Sequence, residues 1–285
     1  MNDIPINAFI MLRKHFFDDD MKPTDFFLRQ KKNTQDDPLD EYMANNVLSN
    51  LDVECERSGP LVSPDIVLYD ADKLDMNKLD NIEHIVAIEL KRVSRAKNGA
   101  ISRASSIDYN STPPCGKVRV YADNKPLDIR SFYLFMCSEN PYGDTARTTL
   151  TALALVDGNL LNEDFKFYLN ITGERKKKIG LGSFGDGLDR TRPMLTFPNP
   201  LSISGFDGAA TLVHPNPELE ELGFGLKMTN IIERVRADGT VSSFYCYRLS
   251  GDVNQEKVVW LGDPFDIPNN RDTKTRQRGK FNISL

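Results

Sequence analysis

The sequence predicts an α/β or α+β fold, a central mixed β-sheet flanked by helices. Two observations carry this. Apolar residues recur at helical spacing near the N-terminus and again later in the chain. Between those segments lie short apolar runs rich in Val, Ile, Phe and Tyr, bounded by Asp, Asn, Pro and Gly. No composition break marks a linker and no internal repeat is present, so residues 1–285 are expected to form one domain.

In chain order, residues 4–17 place Ile6, Phe9, Ile10, Leu12 and Phe16 at helical spacing. A second helix is expected where Asp37 can cap and Pro38 suits the first turn. Its apolar stripe is Leu39, Tyr42, Met43, Val47 and Leu51. DIVLYD (65–70) and HIVAIELKRV (84–93) read as strands joined by a polar connection. KVRVYAD (117–123) and DIRSFYLFMC (128–137) read as two more. A helical pattern follows around 145–156, a strand is expected at FKFYLNI (165–171), and 180–205, rich in Gly, Pro and Arg, is expected as mostly loop. Asn216-Pro217 is expected to open a helix reaching about residue 235, and SSFYCYRL (242–249) with KVVWLGD (257–263) to form a late hairpin.

Composition excludes several classes. With 40% hydrophobic and 27% charged residues the chain can build a core and is not a disordered polymer. No apolar run reaches the roughly 18 residues of a membrane helix, and the N-terminus lacks the basic start and apolar block of a secretory signal. Cys55, Cys115, Cys137 and Cys246 are isolated, which fits reduced thiols and a cytoplasmic protein. His15, His84 and His214 form no zinc pattern. A GxGxxG match at 180–185 leads into DGLDRTRP, not a helix, and so lacks the context of a nucleotide-binding loop. The net charge of −5 hides local basic runs at 91–97, 175–178 and 271–280. Phosphate binding depends on local charge, so these runs leave a polyanionic partner open; solvated loops are the other reading.

One strand carries chemistry. In HIVAIELKRV, side chains two apart share a face, so Ala87, Glu89 and Lys91 line one side and Val86, Ile88 and Leu90 the other. A carboxylate and an ammonium on an otherwise apolar strand need a reason, because unpartnered burial costs several kcal/mol. Pro64 fits a strand start and sets Asp65 at the mouth of the preceding strand. If the two strands pair, Asp65, Glu89 and Lys91 converge. Two repelling carboxylates call for a hard cation, and Mg²⁺ commonly takes one or two carboxylates and completes its shell with water and phosphate. A lysine beside it can orient or help deprotonate a water, or neutralise a phosphoryl oxygen.

Pro64-Asp65 followed by Glu89-Leu90-Lys91 resembles the PD-(D/E)XK signature of the nuclease superfamily that includes most type II restriction endonucleases. Leu39-Asp40-Glu41-Tyr42 resembles the early-helix pattern of many such enzymes, with Glu41 at the position facing the site. The resemblance covers about residues 35–137 as a catalytic core. It implies a restriction-endonuclease-like fold, with the rest of the chain elaborated for DNA recognition.

It also implies Mg²⁺-dependent hydrolysis of double-stranded DNA at a short sequence by a homodimer, functionally paired with a DNA methyltransferase. Asp65 and Glu89 would bind metal, Lys91 would position or activate water, and Glu41 would assist. Ser111, Thr112, Lys117 and Arg119 would meet phosphates or bases, although Pro113, Pro114 and Gly116 in the same segment could simply turn the chain. Arg190 and Arg192 are the candidates for base contacts, since arginine is the commonest reader of guanine edges. A structure-specific nuclease of the same fold and a non-catalytic DNA-binding module are the alternatives.

Overall fold

A computed structural model describes residues 3–33, 36–59, 62–74, 81–94, 107–109, 115–122, 124–139, 146–163, 195–197, 201, 206, 209–235, 238–253 and 259–261. Within them the fold is mixed α+β, with few helices and one large mixed sheet. No helix among them is long and apolar enough to cross a membrane.

Both expected early helices form. In α1 (Ile4–Phe16) the cap is Asp3, whose Oδ1 accepts from the Ile6 N–H at 3.3 Å, and Pro5 occupies the first turn. In α2 (Pro38–Tyr42) the Asp37 carboxylate accepts from the Leu39 N–H at 3.0 Å. The helical path then runs on through a π turn (Met43–Val47) and a 3-10 turn (Leu48–Asn50), burying Leu39, Met43 and Val47 as the stripe demands.

The strands are β1 (Asp25–Phe27), β2 (Glu54–Arg57), β3 (Ile66–Tyr69), β4 (Ile85–Ser94), β5 (Ile107–Tyr109), β6 (Lys117–Ala122), β7 (Lys125–Glu139), β8 (Arg147–Asp157), β9 (Leu195–Phe197), β10 (Ala210–His214), β11 (Leu226–Val235), β12 (Val241–Leu249) and β13 (Val259–Leu261). The large sheet is ordered β13-β11-β12-β10-β8-β7-β4-β3-β2, with β1 beside the start of β8 and β6 beside the first half of β7. Pairs β4–β7, β8–β10 and β11–β13 are parallel and the remaining pairs of this sheet antiparallel. Strands β5 and β9 form a separate two-stranded ladder.

Three expectations are corrected. The helix expected around 145–156 does not form among the described residues: 147–157 form β8, between β7 and β10. A strand covered on both faces is apolar throughout, so Leu150, Leu153 and Ala154 match a helical period by default, and tertiary position decides. No helix spans 216–235. Asn216 Oδ1 accepts from the Glu218 N–H at 2.9 Å and makes a turn; Gly223 and Gly225 then adopt φ of 76° and 69°, which ends any right-handed helix before β11. The late hairpin is β11–β12, not β12–β13; β13 lies parallel to β11 on its far side. The strand expected at 165–171, Ser111, Thr112, Arg190, Arg192 and the runs at 175–178 and 271–280 lie outside the described residues.

The alternation read from β4 holds. Val86 and Ile88 belong to the core under α1 and α2, together with Ile66, Phe132 and Leu134. Ala87 faces the other side with Ile85 and Ile129. All four residues from Ile85 to Ile88 are buried, and exposure begins at Glu89 and is greatest at Arg92, with Val93 buried again.

Candidate active site

β3 and β4 pair antiparallel from Tyr69↔Ile85 to Ile66↔Ile88, and there β3 ends. Asp65 stands just before the last pair and Glu89 just after it, so the register brings the two acidic positions together. Where the ladder stops, the Asp65 side chain continues it: its Oδ2 accepts from the Leu90 N–H at 2.6 Å. Pro64 is buried beneath this corner, and the Ser63–Pro64 peptide is cis.

Glu89 is held at both oxygens. Its Oε1 accepts from Lys91 Nζ at 2.7 Å and its Oε2 from Ser63 Oγ at 3.0 Å. The Glu89 and Lys91 side chains are 13% and 16% exposed, so the pair is largely withdrawn from water yet still reachable. Lys91 Nζ also lies 6.0 Å from the centre of the Tyr133 ring, which follows from the parallel register Glu89↔Tyr133 and Lys91↔Phe135. Beside Tyr133 is Cys115, whose thiol burial pushes up to about 11 while its hydrogen bond to Tyr133 opposes the shift.

Electrostatics identify this corner as acidic. Burial raises the pKa of Asp65 well above its ordinary value and the Glu89 charge raises it further; the Leu90 N–H and Lys91 act against them. A third carboxylate joins them from α2. Asp40 is pushed up to about 7 by burial, then by Asp37 and Asp65, with Arg57 opposing and Glu89 adding.

Glu41, the residue matched by the helix pattern, points its charge elsewhere. It accepts from Arg29 Nε at 3.2 Å and Nη2 at 2.5 Å, and Arg57 Nη1 lies 3.9 Å away. The Arg29 fork holds its carboxyl below the usual range. The Leu-Asp-Glu-Tyr segment therefore does bring a carboxylate within electrostatic reach of Asp65 and Glu89, that of Asp40, one residue earlier than the pattern places it.

Lys117 and Arg119 are not brought to this corner. They pair with Arg130 and Asp128 of β7, about three and five residues before Tyr133, or roughly 10 and 17 Å along the strand. Arg119 is bound there by Asp128, Nε to Oδ1 at 2.7 Å and Nη2 to Oδ2 at 2.8 Å. Sequence reasoning missed Asp40, Ser63 and Tyr133. Asp40 and Ser63 adjoin motif residues and were legible as neighbours, whereas Tyr133 is selected only by the β4–β7 register.

Among the described residues no set of three or more Asp, Glu, His or Cys side chains is arranged to enclose an ion. The donor set from β4 and the residue before β3 is two carboxylates, Asp65 and Glu89, each already oriented by an N–H or O–H donor. That is the number Mg²⁺ takes from protein when water and phosphate fill the rest of its shell. Comparison with known proteins adds no family: no protein-family model, no curated protein and no solved structure matches the chain.

Proposed function

We propose that this protein is a Mg²⁺-dependent nuclease of the PD-(D/E)XK type with a restriction-endonuclease-like fold. Its reaction is hydrolysis of phosphodiester bonds in double-stranded DNA at a short sequence, as in type II restriction endonucleases. One observation carries the reading. Asp65, at the open end of β3, lies against a β4 that presents Glu89 hydrogen-bonded to Lys91, so the proline-aspartate and E-x-K elements, distant in sequence, occupy one corner.

Asp65 and Glu89 would hold the metal, which supplies Lewis-acid polarisation of the phosphoryl oxygen when bound. Lys91 donates to the attacking water and sets its positive charge against the phosphate. Ser63 and the Leu90 N–H orient the two carboxylates so that their free lone pairs face the substrate. Asp40, and not Glu41, is the helix carboxylate assigned to the site. A homodimer would place one site on each strand of a palindromic sequence, and a paired methyltransferase would protect host DNA.

The test is incubation of the protein and of Asp65→Ala, Glu89→Ala and Lys91→Ala with a phage genome, with and without Mg²⁺. Discrete fragments from the wild type with Mg²⁺ alone, absent in all three variants, are expected. Smearing would move the reading to a structure-specific nuclease. Cleavage by Asp65→Ala at near wild-type rate would remove the site assignment.

A further inference from the structure

Past Ile88, β4 has no strand on its β3 side among the described residues, while β7 still pairs with it as far as Ser94↔Ser138. Residues 89–94 thus overhang β3 by roughly 20 Å at the rise of a strand. Lys91 leaves one face of this overhang and Arg92 the other.

Arg92 differs from six other arginines of the described residues. Arg13, Arg29, Arg57, Arg119, Arg130 and Arg147 all bind carboxylates: Asp252, Asp36 with Glu41, Glu41, Asp128, Asp157 and Asp25 respectively. Arg92 is exposed, and its contact is a neutral one, Nε donating to Ser138 Oγ at 2.8 Å. Ser138 is itself buried and fixed, its hydroxyl donating to the Val93 carbonyl at 3.3 Å. The guanidinium is therefore held through Nε, and no carboxylate among the described residues binds its two terminal amino groups. A fork of two parallel N–H donors is matched by a phosphate.

We infer that Arg92, oriented by Ser138, anchors a backbone phosphate of the DNA strand lying along the β4 overhang, across that edge from the phosphate that meets Asp65, Glu89 and Lys91. This rests on the nuclease reading and names one of its substrate contacts. A phosphate contact positions the strand and reads no base, so its loss weakens all sequences alike.

The experiment measures binding of a fluorescent duplex by anisotropy in EDTA, between about 50 and 200 mM salt, where the slope of log affinity on log salt changes by about 0.9 per phosphate contact. Arg92→Ala is expected to make the slope shallower by about that amount and to weaken random and cleavable duplexes by the same factor. Arg92→Lys is expected to restore the slope but not the full affinity. Ser138→Ala is expected to keep the slope and lose affinity, because the charge remains and its orientation does not. An Arg92→Ala slope equal to that of a wild type that cuts DNA with Mg²⁺, when Asp65→Ala does not cut, overturns this inference and leaves the nuclease reading standing. A wild type that shows neither salt-dependent binding nor cutting overturns both.

Discussion

Replacing Asp157 by alanine tests the packing logic of the sheet. Its carboxylate, with no exposed surface, closes the end of β8 and accepts three hydrogen bonds: Arg130 Nε at 3.0 Å, Arg130 Nη2 at 2.8 Å and the Asn159 N–H at 2.8 Å. The Asn159 bond caps the helical residues 158–163. Arg130 in turn lies over the Phe132 ring at 4.6 Å, with His214 Nε2 2.8 Å from its Nη2. Alanine removes the carboxylate that pairs with Arg130, leaving His214 Nε2 as the remaining acceptor of a guanidinium held by β7. Breaking a buried pair in this way costs about 3–5 kcal/mol. The side chain of Arg130 is 31% exposed, so water recovers part of that loss, while the missing cap adds about 0.5–2 kcal/mol.

A destabilisation of about 3–5 kcal/mol is therefore expected, a large share of the roughly 5–15 kcal/mol that holds a domain folded. Urea unfolding measures it, with the slope checked so that the midpoint shift reports stability and not a changed unfolded state. Arg130→Met combined with Asp157→Leu, which leaves no charge unpaired, should recover much of the loss and show strong coupling between the sites. A loss under about 1 kcal/mol for Asp157→Ala, or additive effects in the double variant, would refute the reasoning.

Ser63→Ala should raise the Mg²⁺ concentration for half-maximal cleavage by about 10-fold, the lower end for loss of an outer partner of a metal ligand. Threonine at the same position should restore it, and an unchanged Mg²⁺ dependence would show that the Ser63–Glu89 bond is incidental. Asp40→Asn should raise the same Mg²⁺ requirement more than Glu41→Gln does, since Asp40 feels Asp65 and Glu89 while Glu41 is held by Arg29; the opposite order would return the helix role to Glu41.

His214 should make stability fall in acid. Burial, then Arg130, lowers its pKa to about 3, and both ring nitrogens face N–H donors, so an added proton finds no acceptor. Because the folded value lies below the unfolded one, the unfolded chain binds the extra proton, and the contribution is full above about pH 6.5. It is lost at about 1.4 kcal/mol per pH unit as pH falls toward 3. Wild type minus His214→Gln, followed by urea unfolding from pH 7 to 4, isolates this slope from the carboxylates. A flat difference would mean that the ring is charged in the fold.

Local features of the chain were legible because they are set by neighbours in sequence. Asp3, Asp37 and their following prolines mark helix starts by supplying an acceptor and a pre-set φ to a first turn that lacks partners. Alternation in 84–93 separates two faces because the strand period is two, whatever lies above or below. The proline before Asp65 and the Glu89–Lys91 spacing were likewise visible. Tertiary structure decided the rest. Residues 147–157 are helical in pattern and become a strand because β7 on one side and β1 and β10 on the other supply its ladder partners, while its two faces are buried in separate apolar clusters, which no local propensity encodes. That Asp40 shares its field with Asp65 and Glu89 while Glu41 is bound by Arg29 depends on how α2 is turned and on Arg29 reaching back across the loop, a rotation of about 100° around a helix axis that a four-letter pattern does not contain. Tyr133 comes beside Lys91, and Ser138 beside Arg92, only through the parallel register of β4 with β7, and register is a property of two strands together.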